Sequence, residues 1–248
     1  MNFLKKKGGF LAGLLVMLTL FTACNDDNDV PQPDNDVAGF MAFNLVPDQD
    51  GIGVALSGNT VNIMPFMRYT GGYVRAYPGE RTTVAFAANS QDSLTSTTYN
   101  YEVNKYYSLF VMGLEGNYKN VIVNDGLDTM DAADGKSYLR FVNGIADGST
   151  VNVELSNDTA TLFSEQADYS KVSPFMELDS GAITIDINDG SDIQVNRTIQ
   201  LENQKAYTIL LAGNPQNTEP EDSVQIRYII NGTLTLDSTS SDLTDETN

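Results

Sequence analysis

The feature that most constrains the fold is that the chain repeats itself. Phe43-Asn44-Leu45-Val46-Pro47-Asp48 lines up with Val142-Asn143-Gly144-Ile145-Ala146-Asp147 at an offset of 99 residues. Ile52, Val54 and Leu56 then fall without a gap on Val151, Val153 and Leu155. Further on, Glu102-Val103-Asn104-Lys105-Tyr106-Tyr107 lines up with Glu202-Asn203-Gln204-Lys205-Ala206-Tyr207 at an offset of 100, and Gly113 with Gly213. One net inserted residue between the two blocks is what a changed loop produces. The expectation is two copies of one domain, at 39–130 and 136–236, each of roughly 100 residues and able to bury about two-thirds of its unfolded surface.

Both copies read as β structure. Ile183, Ile185 and Ile187 alternate with polar neighbours, as one face of a strand requires, and Val84, Phe86 and Ala88 do the same in the first copy. Asp50-Gly51, Gly71-Gly72, Pro78-Gly79, Asp189-Gly190 and Asn231-Gly232 punctuate the runs as turns. Strands at this spacing point to an all-β chain with two tandem immunoglobulin-like or fibronectin-like sandwiches of about seven strands each. Tyr101 precedes Tyr107 by six residues, and Leu201 precedes Tyr207 by six. This places Tyr107 and Tyr207 where a tyrosine opening a strand bonds back across a corner, with Leu109, Val111, Ile209 and Leu211 facing the core.

The motif of an apolar strand, Asn, Pro or Ala, Asp and then Val-x-Val resembles the domain-of-unknown-function family 4397, over roughly Gly39 to Gly232. Pro47-Asp48 fits the motif, while Ala146-Asp147 lacks the proline. The resemblance implies secreted or surface β domains, often in tandem, with a sandwich fold and no settled activity.

The first 23 residues carry an address. Lys5, Lys6 and Lys7 precede an apolar run from Phe10 to Phe21, and small residues lead to Cys24. This is the layout of a secretory signal peptide, and its apolar run is too short for a comfortable membrane span. Phe21-Thr22-Ala23-Cys24 resembles a bacterial lipobox, which implies lipidation of Cys24 and a membrane anchor through acyl chains. A tether over 24–38, rich in Asp, Asn and Pro, is expected to be extended and solvated, as is a tail over 237–248. Asp26, Asp27 and Asp29 directly after the cysteine resemble the export signal of Bacteroidetes surface lipoproteins. The expected location is the outer membrane, facing outward.

Composition closes several routes. The chain carries 33 acidic against 14 basic residues, and three of the basic ones lie in the signal segment. A surface this acidic repels phosphate backbones, so no nucleic-acid partner is expected. There is no histidine and only one cysteine. Internal disulfides, Ser-His and Cys-His nucleophiles and the commonest zinc ligands are therefore ruled out. A glycosidase carboxylate pair survives that test, but two small sandwiches offer no evident cleft for it. The expectation is a non-enzymatic protein without cofactor or metal, acting in binding, adhesion or scaffolding; the alternative is a glycan-binding accessory of nutrient uptake. Asp186, Asn188, Asp189 and Asp192, and separately Asp125, Asp128, Asp131 and Asp134, crowd short stretches as calcium ligands can, yet neither stretch fits an EF-hand loop.

Around Tyr107, the opposite strand face of the first copy carries Tyr106, Ser108, Phe110 and Met112, where the second has Ala206, Thr208, Leu210 and Ala212. A face bearing Tyr106, Phe110 and Met112 must be covered by packing or must bind something, a surface protein or a glycan. Five segments resemble the O-glycosylation signal of secreted Bacteroidetes proteins, with acceptors Ser93, Thr129, Thr159, Ser223 and Ser238. The intact mass of the native protein is expected to exceed that of the lipidated polypeptide, and equal masses would remove this modification.

Overall fold

The computed structural model describes residues 36–131, 133–217 and 219–234. The expected signal peptide, Cys24, Asp26, Asp27 and Asp29, and the tail with Ser238 lie outside these residues. Among the described residues no helix is long and apolar enough to cross a membrane.

The first copy comprises β1 (Ala38–Leu45), β2 (Ile52–Leu56), β3 (Asn59–Met64), β4 (Val74–Ala76), β5 (Gly79–Ala87), β6 (Ser93–Tyr101), β7 (Tyr106–Met112) and β8 (Lys119–Asn124). A 3-10 turn at Leu127–Thr129 follows. The second copy comprises β9 (Lys136–Ile145), β10 (Val151–Ser156), β11 (Thr161–Ala167), β12 (Met176–Asp179), β13 (Gly181–Asn188), β14 (Gln194–Leu201), β15 (Lys205–Gly213) and β16 (Gln225–Thr233). Sheet orders are β3-β2-β5-β6 and β4-β1-β7-β8, and then β11-β10-β13-β14 and β12-β9-β15-β16. Every strand of the first copy thus has its counterpart in the second, eight strands later. The two tandem domains of the repeat are real, with eight strands each rather than about seven. Within each, β1 pairs with β7, and β9 with β15, in parallel, unlike the antiparallel sheets of immunoglobulin domains.

The repeated residues explain why both copies fold alike. Asn44 is fully buried; its amide donates to the Met64 carbonyl at 2.9 Å and its side-chain oxygen accepts from the Val46 amide at 2.8 Å. Asn143 does the same work, donating to the Ser149 and Ala167 carbonyls and accepting from the Ile145 amide. Their backbones bond to Arg68 and Met67 in one copy and to Lys171 and Ser170 in the other. Each asparagine therefore ties the end of the first strand to the segment that crosses between sheets, with no polar group left unmatched. Gly113 and Gly213 have φ of 134° and 133°. A Cβ there would lie 2.3 Å from the Asn117 carbonyl oxygen or 2.2 Å from that of Ser223, so only glycine fits.

The tyrosine corners form in both copies. The Tyr107 hydroxyl accepts from the Glu102 amide at 3.0 Å, and the Tyr207 hydroxyl from the Glu202 amide at 2.9 Å. Cross-strand threonine pairs also repeat, Thr82 with Thr98 at 3.0 Å and Thr184 with Thr198 at 2.9 Å.

One expected face is reversed. Ile183, Ile185 and Ile187 point inward as their alternation requires. On β5, however, Thr83, Ala85 and Ala87 are buried, while Val84 and Phe86 are only partly covered. The first core already holds Phe40, Tyr101 and Tyr107, with Tyr101 stacked edge-on against both others. Small residues on β5 make room for those rings, and the Tyr101 hydroxyl bonds Thr83 at 3.2 Å. Phe86 lies on the outer face over Gly53, where an added Cβ would come within 2.1 Å of its ring.

Tyr107→Phe and Tyr207→Phe are each expected to lower stability by about 1–3 kcal/mol, since each leaves one backbone amide without its acceptor. Urea denaturation of the single variants measures this, and midpoints equal to the parent would contradict the corner.

Candidate functional site

The two sandwiches meet along a buried seam, and the chemistry of the chain concentrates there. The β1/β7 sheet of the first copy stacks on the β9/β15 sheet of the second. Both sheets are therefore buried on both faces, as the nearly unbroken burial along β1, β7, β9 and β15 shows. On β1, Phe40 and Ala42 enter the first core, while Met41, Phe43 and Leu45 enter the seam.

Phe110 and Met112 are fully buried in this seam against Val142, Leu210, Ala212 and Ile229. Phe43 stacks on Phe110 at 4.8 Å. The first copy supplies bulk and the second supplies hollows. Gly144 is one such hollow, since a Cβ on it would lie 2.7 Å from the Leu45 side chain. Of the two readings of Tyr106, Phe110 and Met112, the structure has the packing one for the last two. Tyr106 is half-buried, covers Gly39 and meets the Tyr73 ring edge-on at 5.0 Å.

Within the seam lies a closed polar ring built from both copies. Arg140 is 2% exposed and donates from Nη1 to Asp125 Oδ1 at 2.6 Å, from Nη2 to Ser108 Oγ at 2.8 Å and from Nε to Thr208 Oγ1 at 2.9 Å. Thr208 donates to Asn231 Oδ1 at 2.6 Å, and Asn231 donates to the Tyr73 hydroxyl at 3.2 Å. Tyr73 and Ser108 both donate to Asp125 Oδ2. The guanidinium also lies over the rings of Phe175 at 4.4 Å and Phe110 at 5.4 Å. Burial and the nearby Asp125 charge hold the Tyr73 phenol well above its ordinary range, despite the opposing pull of Arg140. Lys119 adds a further crossing: it bonds Ser170 Oγ at 2.5 Å and sits 4.3 Å over the Tyr169 ring.

The ring also accounts for one acidic stretch weighed as a calcium site. Asp125 serves Arg140, Tyr73 and Ser108; Asp128 pairs with Lys105; Asp134 accepts from Asn203. In the other stretch Asp189 caps its own turn, accepting from the Ser191 and Ile193 amides, which hold its carboxyl below the usual carboxylate range. Among the described residues no group of three or more acids, histidines or cysteines is placed to hold a metal ion.

Of the proposed acceptors, Ser93, Thr129 and Thr159 are exposed and Ser223 is half-buried. The Thr129 hydroxyl bonds the Gly126 carbonyl, and that of Thr159 bonds Asn157 Oδ1.

Two openings flank the polar ring. The smaller, about 430 Å³, is lined by Asp125, Tyr138, Arg140 and Phe175 among others. The larger is a groove of about 1390 Å³ between the loop at 67–73 of the first copy and strands β14 and β16 of the second. Its walls carry Arg68, Arg197 and Arg227 with Tyr69, Tyr73 and Tyr228. No stretch of sequence marks this groove, because its arginines lie 129 and 30 residues apart along the chain. Arg140 did leave a signal: a charge within Tyr138-Leu139-Arg140-Phe141-Val142 demands a buried partner.

Fold and seam together define a tandem β-sandwich protein. The chain belongs to the family described as Domain of unknown function (DUF4397), whose profile matches residues 40–154 and 137–229. No curated protein matches the chain. Among solved structures, CBMbc (family CBM26) from Eubacterium rectale Amy13K in complex with maltoheptaose is similar at 9% identity, covering 76% of this chain and 96% of that one with a TM-score of 0.25. The tip fimbrial protein Mfa3 from Porphyromonas gingivalis is similar at 9% identity over 78% of this chain and 99% of that one, with a TM-score of 0.25. A cell adhesion protein from Bacteroides ovatus, so described provisionally, is similar at 9% identity over 78% of this chain and 95% of that one, with a TM-score of 0.24. At these scores the superpositions carry no argument about function.

Arg140→Ala is expected to cost about 3–5 kcal/mol, because it leaves the Asp125 carboxylate buried without its counter-charge. Replacing both partners together, as Asp125→Leu with Arg140→Met, is expected to restore much of the loss. A thermodynamic cycle by chemical denaturation tests this, and additive single and double effects would contradict the coupling.

Proposed function

We propose that this is a lipid-anchored protein of the outer membrane surface that works by binding, as an adhesin or as a scaffold subunit of a surface complex. The observation that carries the binding role is the groove of about 1390 Å³ where the two sandwiches join. It exceeds the roughly 300–1,000 Å³ of pockets built for small molecules and suits a long ligand. Its walls come from both copies, and the seam between them is closed by a buried ion pair and an apolar cluster, so the groove is held in one shape. Preformed walls reduce the ordering cost of binding. The address rests on the signal-like segment, Cys24, and Asp26, Asp27 and Asp29 behind it.

A second reading, a glycan-capturing accessory of nutrient uptake, is favoured by the tyrosine and arginine lining of the groove. Saturable binding of a soluble polysaccharide supports capture. Crosslinking on intact cells to one surface protein supports the scaffold.

An alkyne analogue of palmitate is expected to label the parent, and Cys24→Ser is expected to abolish the label and release the protein from the membrane fraction. A Cys24→Ser protein that stays equally membrane-bound would overturn the anchor.

A further inference from the structure

Three of the six arginines in the chain, Arg68, Arg197 and Arg227, line the large groove. They arrive from three separate elements: the loop at 67–73, β14 and β16. Among the described residues none of the three forms a salt bridge. A chain with 33 acidic residues and a formal net charge of −19 had carboxylates to spare for them. The one acidic residue in the groove lining, Glu202, is instead paired with Lys205 at 2.8 Å.

The clustering has an electrostatic cost that no salt bridge among the described residues offsets. Arg227 is half-buried, and burial together with the like charges of Arg68 and Arg197 holds its guanidinium below its ordinary range. Its own bond, to Gln225 Oε1, is long at 3.4 Å. Like charges gathered in a concave wall focus the field and attract an anion, even on a molecule of opposite net charge. Arginine forks also match the planar oxygen pair of a carboxylate and two oxygens of a tetrahedral sulfate.

The rest of the lining narrows the class of anion. Tyr228 is 37% exposed, and the Arg197 guanidinium lies 5.1 Å over its ring. Half-buried Tyr69 and Tyr73 face the same opening. Aromatic faces beside cationic forks suit a ligand that alternates apolar ring faces with anionic groups. A peptide adding as an extra strand is the competing form of occupant, since β14 and β16 are both sheet edges. Arg197 obstructs it, because its Nη1 donates to the Ile226 carbonyl of β16 at 2.8 Å. An edge carbonyl taken up in this way is a poorer template for strand addition.

We propose that the groove formed by Arg68, Arg197 and Arg227 with Tyr73 and Tyr228 binds an anionic polysaccharide, one bearing carboxylate or sulfate groups. This deepens the binding reading above and rests on it. Arg68 and Arg227 supply the charge that grips the chain, Tyr228 offers a face to a sugar ring, and Arg197 holds that tyrosine and the strand edge in place.

The test uses the full chain purified in detergent, with polygalacturonate, chondroitin sulfate, neutral dextran and poly-glutamate as probes in calorimetry. At least one of the two anionic polysaccharides is expected to bind saturably, dextran not at all and poly-glutamate more weakly. Binding of polygalacturonate shows that carboxylates suffice, whereas binding of chondroitin sulfate without polygalacturonate shows that the carboxylates both carry are not enough. Arg68→Ala and Arg227→Ala are each expected to weaken binding roughly tenfold or more. Both side chains are at least partly exposed, so thermal melting of the variants should match the parent. Without any substitution, affinity should also fall roughly tenfold between 50 mM and 500 mM salt. No binding of either anionic polysaccharide, equal binding of dextran, binding indifferent to both salt and arginine removal, or poly-glutamate binding as tightly as the glycans would each overturn the proposal. The Cys24→Ser experiment on cells is independent of these outcomes, so a failed anchor and a failed groove are told apart.

Discussion

The Asp125–Arg140 pair is the interaction on which the arrangement of this molecule depends. One partner follows the last strand of the first sandwich and the other sits mid-strand in the second, and both side chains are shut away from water. Two charges in such a place are tolerable only with complete hydrogen bonding, and the ring through Ser108, Thr208, Asn231 and Tyr73 provides it. A ring of this kind accepts only one register. The two sandwiches are thus one body rather than two beads on a string, and the groove beside them inherits a defined shape.

The ring also shows how duplicated halves diverge at their contact. Ser108 and Thr208 occupy matching positions on β7 and β15, and each donates to a polar residue associated with the next strand, Asp125 or Asn231. The two halves remain alike where each folds by itself, at Asn44 and Asn143, Gly113 and Gly213, Tyr107 and Tyr207. They differ where they meet. In the seam Phe43 and Phe110 cluster with Ala212, Leu45 presses on Gly144, and a carboxylate confronts a guanidinium. A symmetric pair of faces would have set like against like.

Much of the fold was legible because it is local. Alternation on β13, turn glycines, and the six-residue spacing before Tyr107 and Tyr207 depend on contacts within a few residues or one hairpin. The inverted face of β5 was not legible. Val84 and Phe86 are more apolar than Thr83 and Ala85, and only the volume of rings arriving from β1, β6 and β7 reverses the choice. The fate of Phe110 and Met112 was half legible: the sequence required a cover for that face without saying which surface supplies it. The arginine groove left no local trace, because Arg68 and Arg227 lie in different sandwiches and meet only through the seam.

By itself, then, the sequence determined two copies of one β domain and the tie-points within each. Strand periodicity and turn glycines are properties of neighbours along the chain, and the repeat itself marks Asn44 and Asn143, although their partners Met64 and Ala167 lie 20 and 24 residues away. Tertiary structure alone decided that the copies fuse, which aromatic face is hidden, and where unpaired positive charge gathers on an acidic protein. Those outcomes depend on volume and charge matched between surfaces 30 to 160 residues apart in the chain, where Tyr73 meets Asn231, and no window of sequence contains both sides.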